Sequence, residues 1–138
     1  MLQSADARTA TGDASDLDAA LTRELASIVG AENVSSTTAE RMVYEADGFT
    51  MARRRPAAVV HPASTEEVQK VVRLASARGL PFVARGAGTG LSGGAMAPPG
   101  GIIISLTRMR RILDIDLRNR RLTAEAGVVN LKVTQAVA

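Results

Sequence analysis

The sequence predicts an α+β fold in which N-terminal helices precede a β-α-β unit and further strands. Three observations support this prediction. Leucine and isoleucine recur at helical spacing from Leu17 to Ile28. Two short apolar runs flank an amphipathic segment between residues 57 and 84. A glycine-rich stretch at 85–94 then leads into another apolar run with no helix between them. We divide the 138 residues into a disordered tail (1–14), a helical region (15–52) and one larger domain (53–138).

The helical region contains start and stop signals for two helices. A polar residue at 15–16 caps the first helix, and Gly30 stands where a left-handed C-terminal cap is usual. Thr37 and Glu40 have the spacing of a capping box and predict a second, shorter helix. The Asp-Gly pair at 47–48 ends that helix. We predict packing here and no chemistry.

The next segment has the pattern of a strand–helix–strand unit. Residues 57–60 form an apolar run suited to a buried strand, and Ser64 with Glu67 predicts a capping box at the start of a helix. Gly79 ends this helix, and the apolar run 80–84 predicts a second short buried strand. Such a unit has a right-handed crossover, so we expect its two strands to be parallel in one sheet.

The stretch 85–94 has five glycines and follows the second strand directly. Glycine tolerates positive φ and lets a ligand approach the backbone, and successive N–H groups in such loops form nests for phosphate oxygens. We expect Arg85 at the mouth of the loop to add charge, and Thr89 and Ser92 to add hydroxyl donors. A flexible surface connection is the alternative. The prolines at 98–99 exclude a helix after the loop, which argues against a Rossmann or P-loop site.

The remaining residues predict strands and a last helix. Residues 102–106 form a strand, and 112–116 and 121–126 form a hairpin whose aspartates face solvent while its apolar side chains are buried. Gly127 ends the hairpin, and Asn130 caps a helix that is still running at the end of the sequence. That ending predicts a fragment of a longer protein.

Composition narrows the class of protein. There is no cysteine, no run of about 20 apolar residues and no secretory signal pattern, which fits a cytoplasmic protein without a transmembrane segment. The net charge is +3, with arginine clusters at 53–55, 108–111 and 118–121. Only Tyr44 and two phenylalanines are aromatic, so little is available to stack on bases. We therefore favour solvated faces, ion pairs or contacts with further parts of a longer chain over nucleic-acid binding.

The ordered combination of residues 56–68 with the motif RGAGTGLSGG at 85–94 resembles the FAD-linked oxidase family. Members have the vanillyl-alcohol-oxidase, or PCMH-type, FAD-binding domain. Within the family the sequence is most similar to the branch of the glycolate oxidase D-subunit and D-lactate dehydrogenase. The similarity extends over roughly residues 50–138. It implies that residues 53–138 are the N-terminal part of this domain, truncated within its first subdomain.

The resemblance implies that the glycine loop surrounds the FAD pyrophosphate. The cofactor-binding residues it implies are Pro62, Arg85, Gly86, Ala87, Gly88, Thr89, Gly90, Leu91, Ser92 and Gly127. For Pro62 a plain strand terminator is the favoured alternative to direct contact near the adenine. For Gly127, which lies in a segment that approaches the flavin in the family, an ordinary turn glycine is an equal alternative.

The resemblance also implies the activity of the whole protein. Some family members attach flavin covalently through a histidine near this loop, but the loop has none here, so noncovalent FAD is expected. His61, the single histidine, is interpreted as structural. We expect no catalytic residue and no metal site in this segment, because in the family the substrate domain and catalytic residues lie farther along.

The leading hypothesis is thus the FAD-anchoring part of an oxidoreductase acting on a 2-hydroxy acid of the glycolate or D-lactate type. Alone, the segment is expected to be inactive. Partner subunits of a glycolate-oxidase-type complex are expected, with membrane association only through them. The alternative is a non-catalytic module that binds another nucleotide or phosphate.

Overall fold

The structure, a computed structural model, describes residues 19–138. The predicted tail and the predicted cap at 15–16 lie outside these residues. No helix within 19–138 is long and apolar enough to cross a membrane. In chain order the helices and strands are α1 (Ala19–Val29), β1 (Val34–Ser35), α2 (Thr38–Met42), β2 (Val59–Val60), α3 (Thr65–Ala77), β3 (Phe82–Arg85), β4 (Ile102–Ser105), β5 (Ile112–Asp116), β6 (Arg121–Ala124) and α4 (Asn130–Val137).

Four of the strands form one mixed sheet in the order β1-β2-β4-β3. Strand β4 lies between β2 and β3 and is parallel to both, while β1 is antiparallel to β2. The predicted parallel arrangement of β2 and β3 is therefore confirmed, with β4 inserted between them. Helices α1 and α3 pack on the sheet through Leu25 and Val71, which join Val60 and Ile104 in the main core. Strands β5 and β6 form a separate antiparallel hairpin.

Local signals account for most of the helix ends. Gly30 has a φ of 89° where α1 ends, and Gly79 has a φ of 60° after α3, a region that suits glycine. At α2 the capping box is complete: the backbone N–H of Glu40 donates to Thr37 Oγ1, and the Glu40 carboxylate accepts from the Thr37 N–H. The hydrogen bonds from Thr37 lower the pKa of the Glu40 carboxyl.

The start of α3 departs from the predicted capping box. Ser64 Oγ accepts from the Glu67 N–H at 3.2 Å, as expected. The Glu67 carboxylate, however, accepts from the N–H of Ala63 at 2.7 Å rather than from Ser64. The Ser64 backbone is extended at φ −144° and ψ 162°. The Glu67 carboxylate finds its donor one residue earlier in the chain, at Ala63. The predicted start of the helix is confirmed. The predicted hydrogen bond from the Ser64 N–H to the Glu67 carboxylate is wrong.

Three other expectations about burial and capping are wrong. Phe82 in β3 is exposed, because β3 is an edge strand rather than a buried one. In the hairpin, Leu113 and Ile115 are 55% and 39% exposed, so its apolar face is not covered within residues 19–138. Helix α4 begins at Asn130 with Val129 as its N-cap and no side-chain cap bond.

The short strand β1 was not predicted, since two residues are too few to show a period of two. It brings residues from the helical region into the same sheet as the strands of the larger domain. The boundary at residue 53 stays a prediction, and the α+β class is confirmed.

The central strand offers a direct test of the core. Ile103 is fully buried, so Ile103→Ala should lower the free energy of unfolding by about 2–5 kcal/mol, the cost of lost apolar contact and a residual cavity. Ile115→Ala makes the same chemical change at a more exposed strand position and should cost under about 1 kcal/mol. Urea unfolding followed by circular dichroism measures both. Equal costs would contradict the assigned positions of these strands.

Candidate functional site

The carboxyl ends of the three parallel strands meet at one edge of the sheet. His61 follows β2, Arg85 ends β3 and Ser105 ends β4. Two contacts tie this edge together: Ser105 Oγ lies 3.0 Å from Thr107 Oγ1, and the Arg108 guanidinium donates to the His61 carbonyl at 2.8 Å. In open α/β sheets, ligands bind beside the carboxyl ends of the strands. The glycine loop 85–94 leaves β3 at this edge.

The backbone of the glycine loop presents free donors. Within residues 19–138, none of the N–H groups from Gly86 to Gly94 donates a hydrogen bond. The hydroxyls of Thr89 and Ser92 also have no hydrogen-bond partner in this part of the chain. Most of the loop is exposed, namely Gly86, Ala87, Thr89, Gly90, Leu91, Ser92 and Gly94. A row of free, accessible N–H groups is the arrangement that binds phosphate oxygens.

Arg85 does not stand at the mouth of the loop, as the sequence had suggested. It is only 7% exposed, and its guanidinium lies beneath the loop, 5.5 Å from the centre of the Tyr44 ring. It also donates to the Ala95 carbonyl at 3.4 Å and fills the space that a side chain at Gly88 would need. No carboxylate within residues 19–138 pairs with it. The charge therefore sits below the free N–H groups and adds to their positive potential.

The glycines of the loop fall into two groups. Gly88 and Gly93 have φ angles of 72° and 74°, so they are needed for the backbone conformation itself. Gly86, Gly90 and Gly94 have no such φ, and a β-carbon built on any of them meets nothing within 4 Å. Their lack of a side chain has no packing reason within the described chain. Open space of this kind is what a ligand approaching the backbone requires.

The two predicted contacts outside the loop have clear structural roles. Pro62 is fully buried where β2 ends. A β-carbon on Gly127 would collide with the Leu106 carbonyl oxygen and lie 2.8 Å from that of Met109. The Gly127 N–H donates to the Met109 carbonyl at 2.8 Å. Packing thus explains both residues, and their roles toward a cofactor stay predictions.

Sequence reasoning missed the segment that lies behind the loop. Asp47 is 8% exposed, and its carboxylate accepts from the N–H groups of Phe49 at 2.8 Å and Ala95 at 3.2 Å. The Gly48 N–H donates to the Gly88 carbonyl at 2.8 Å. In the sequence this Asp-Gly pair indicated only the end of a helix. No local pattern points to a partner about 40 residues away.

The His61 side chain is engaged in contacts with neighbouring side chains. Its Nε2 lies 3.3 Å from Ser35 Oγ, and its ring meets the Tyr44 ring edge-on at a centroid distance of 5.8 Å. Burial is the main cause that lowers the pKa of the His61 imidazole, and the nearby Arg108 charge adds to it. The structural interpretation of His61 agrees with these contacts.

Several residues of the arginine clusters have internal partners. Arg55 pairs with Glu45 at 2.5 Å, and Arg111 pairs with the Glu125 carboxylate at 2.7 Å. Arg54 donates to the Ala97 carbonyl at 3.3 Å. The first two contacts match the expectation of ion pairs. Within 19–138 there is also no group of three or more acidic or histidine residues able to hold a metal ion.

Comparison with known protein families assigns the chain. Residues 56–138 match the family described as FAD binding domain, and this match covers more than half of the sequence. The chain belongs to this FAD binding domain family. The resemblance drawn from the glycine loop is confirmed, and so is FAD as the cofactor.

Curated relatives of this FAD binding domain share its sequence over most of its length. Glycolate oxidase subunit GlcD of Bacillus subtilis (strain 168) is 34% identical over 114 residues, which are 83% of this chain and 24% of that protein. The subunit of the same name from Escherichia coli (strain K12) is 42% identical over 102 residues, 74% of this chain and 20% of that protein. D-lactate dehydrogenase of Anaerostipes hadrus is 43% identical over 77 residues, 56% of this chain and 16% of that protein. The chain spans a quarter or less of these relatives.

Solved structures agree on the fold. The 4-ethylphenol oxidase from Gulosibacter chungangensis superimposes with a TM-score of 0.77 at 31% identity, covering 86% of this chain and 24% of that one. p-Cresol methylhydroxylase gives a TM-score of 0.75 at 21% identity, with coverage of 86% and 24%, and this likeness shows the fold alone. The predicted PCMH-type FAD-binding fold is confirmed.

The lowered pKa of His61 predicts a dependence of stability on pH. The unfolded chain keeps a histidine pKa near 6.5, whereas the folded chain has a lower one. As pH falls below 6.5, the unfolded state takes up the proton first, so the free energy of unfolding should decrease. His61→Gln should flatten this slope below pH 6.5, the unfolded-state value. Denaturant unfolding at several pH values tests it, and an unchanged slope in the variant would contradict the assignment.

Proposed function

We propose that the glycine loop 85–94 binds the pyrophosphate of FAD. The observation that supports this most directly is the run of free N–H groups from Gly86 to Gly94, at the carboxyl edge of three parallel strands. Phosphate oxygens accept several hydrogen bonds at once and carry negative charge. The buried Arg85 guanidinium below the loop complements that charge without occupying the exposed face.

The residues present leave open space for a pyrophosphate as well as complementing its charge. The open space above Gly86 and Gly90 permits close approach to their peptide groups. We propose backbone contacts from Gly86, Ala87, Gly88, Thr89, Gly90 and Leu91, and a hydroxyl contact from Ser92. Arg85 acts through charge from below. The segment at Gly127 packs on the residue after β4 and so approaches the same edge, which is the position proposed for it beside the flavin.

We propose that the whole protein oxidises a 2-hydroxy acid of the glycolate or D-lactate type. The support is the similarity to glycolate oxidase subunits and to D-lactate dehydrogenase. The chemistry that FAD supplies when bound is acceptance of a hydride equivalent from the hydroxy acid. This chain's residues hold the cofactor in place. The loop contains no histidine and the imidazole of His61 is engaged by Ser35 and Tyr44, which supports noncovalent attachment.

Partner subunits belong to the same proposal. Two of the relatives are named as subunits of glycolate oxidase, which supports an assembly for the protein containing this chain. We propose a cytoplasmic location, with any membrane association made through such partners. Co-purification of the natural protein with a tag on this chain tests the assembly.

Gly90 provides the sharpest test of the loop. Gly90→Ala adds one methyl group in open space at ordinary φ, so apo stability should change by less than about 0.5 kcal/mol. FAD affinity should fall at least about tenfold, because the methyl group separates the peptide groups from the phosphate. The assay is FAD titration of the natural protein containing this sequence. Ala77→Val, which adds apolar atoms at an exposed position at the end of α3, is the control and should bind FAD normally.

An unchanged FAD affinity in Gly90→Ala would overturn the loop assignment. In that case, tight binding of ATP to colourless protein would favour the alternative of a different nucleotide-binding module.

The 138-residue chain on its own should show no turnover. It supplies cofactor anchoring, and the substrate site is proposed to lie elsewhere in the whole protein. Dye reduction dependent on glycolate or D-lactate measures this, with the whole protein as positive control. Robust activity of the isolated chain would contradict the division of roles.

A further inference from the structure

We infer that Tyr44, Asp47 and Gly48, which we call the clasp, position the glycine loop so that its N–H groups face the cofactor. This inference rests on the proposed FAD-binding role of the loop. The clasp lies between α2 and β2, outside the residues matched to the family. It contacts the beginning, the middle and the end of the loop.

Gly48 controls the orientation of the peptide groups in the middle of the loop. Its N–H donates to the Gly88 carbonyl at 2.8 Å. A β-carbon on Gly48 would lie 2.8 Å from the Thr89 carbonyl oxygen and 2.7 Å from that of Gly90. Three successive carbonyls of the loop therefore lie beside Gly48, and those of Thr89 and Gly90 exclude any side chain there.

The planar trans peptide determines where the donors of these same groups point. In each peptide unit the N–H points opposite to the C=O. The carbonyls of Gly88, Thr89 and Gly90 face the clasp. The N–H groups that share a peptide unit with these carbonyls are those of residues 89–91, and they therefore point to the other side. These N–H groups are among those that donate no hydrogen bond within residues 19–138. The clasp thus produces the free donor face that a pyrophosphate needs.

Asp47 fixes the end of the loop. One carboxylate oxygen accepts from the Phe49 N–H, and the other accepts from the Ala95 N–H. The Ala95 carbonyl accepts from Arg85, so both backbone polar groups of Ala95, and hence the two successive peptide units that contain them, are held. Hydrogen bonds to a buried carboxylate are stronger than neutral ones. Asp47 closes the loop at Ala95 and leaves the preceding N–H groups free.

Tyr44 fixes the beginning of the loop through Arg85. The guanidinium lies 5.5 Å from the centre of the Tyr44 ring and also lies against Gly88. The same ring is supported at its edge by His61. The aromatic ring therefore holds the charge below the loop, where it attracts an anion from the exposed face. Because the clasp contacts the side of the loop away from the free donors, its members are positioning residues.

Two pairs of variants test the inference in the natural protein, with FAD as the titrated ligand. Asp47→Asn keeps the shape of the side chain but loses one of the two accepting oxygens. The FAD dissociation constant should rise about tenfold or more, the size expected for one charge-assisted hydrogen bond. Asp114→Asn removes the same charge at an exposed strand position and should leave FAD binding unchanged within about twofold.

The second pair separates positioning from packing. Tyr44→Phe keeps the ring that faces Arg85 and should retain FAD affinity within about twofold, whereas Tyr44→Leu loses the ring and should weaken FAD about fivefold or more. The dissociation rate of FAD, followed by its fluorescence on release, should rise in Tyr44→Leu and not in Tyr44→Phe. This pair decides the matter if Asp47→Asn does not fold.

The outcomes distinguish this inference from the proposed function. If Gly90→Ala loses FAD while Asp47→Asn and Tyr44→Leu bind it like the unaltered protein, the loop assignment stands and the clasp is overturned. If Gly90→Ala binds FAD normally, the proposed function itself fails. Equal losses in Tyr44→Phe and Tyr44→Leu would also contradict the role of the ring.

Discussion

The parallel pairing of β4 between β2 and β3 is the constraint on which the site depends. All four residues of Ile102–Ser105 are buried, so this strand can lie only in the middle of a covered sheet. Its entry requires Gly101, where a β-carbon would lie 2.5 Å from the Pro81 carbonyl oxygen. The Gly101 carbonyl accepts from the N–H of Ala57 and the Pro81 carbonyl accepts from Ile102. These contacts fix the parallel register of the strands, which places their carboxyl ends at one edge of the sheet.

The alignment of the strands determines where the glycine loop lies. Contacts with residues that precede it in the chain determine its conformation. A loop rich in glycine can adopt many backbone conformations, so fixing it in one of them costs conformational entropy. Here the Gly88 carbonyl accepts from the Gly48 N–H, the Ala95 N–H donates to Asp47, and the Ala95 carbonyl accepts from Arg85. Much of the ordering is achieved before a ligand arrives, and pre-organisation of this kind lowers the cost of binding.

The sequence predicted those features that local rules govern. The α2 capping box, the glycine ends at Gly30 and Gly79 and the strand at 102–106 follow from spacing of a few residues. The features that it missed depend on distant neighbours. Nothing near Arg85 in sequence indicates that Tyr44 draws its guanidinium beneath the loop. Alternation in β5 correctly gives a strand, but which face is covered depends on what packs there, and the apolar face is exposed within 19–138.

Gly127 shows why structural and functional interpretations of one residue need not compete. Its missing side chain is required by the Leu106 carbonyl, and its N–H is already bound to Met109, so it has no donor left for a phosphate. That separates it from the loop glycines, whose N–H groups are free. The role that we propose for it beside a cofactor is therefore steric: it lets the turn after β6 approach the residue that follows β4. At the carboxyl edge of this sheet, the packing contacts of Gly127 with Leu106 and Met109 therefore also shape the surface beside the loop.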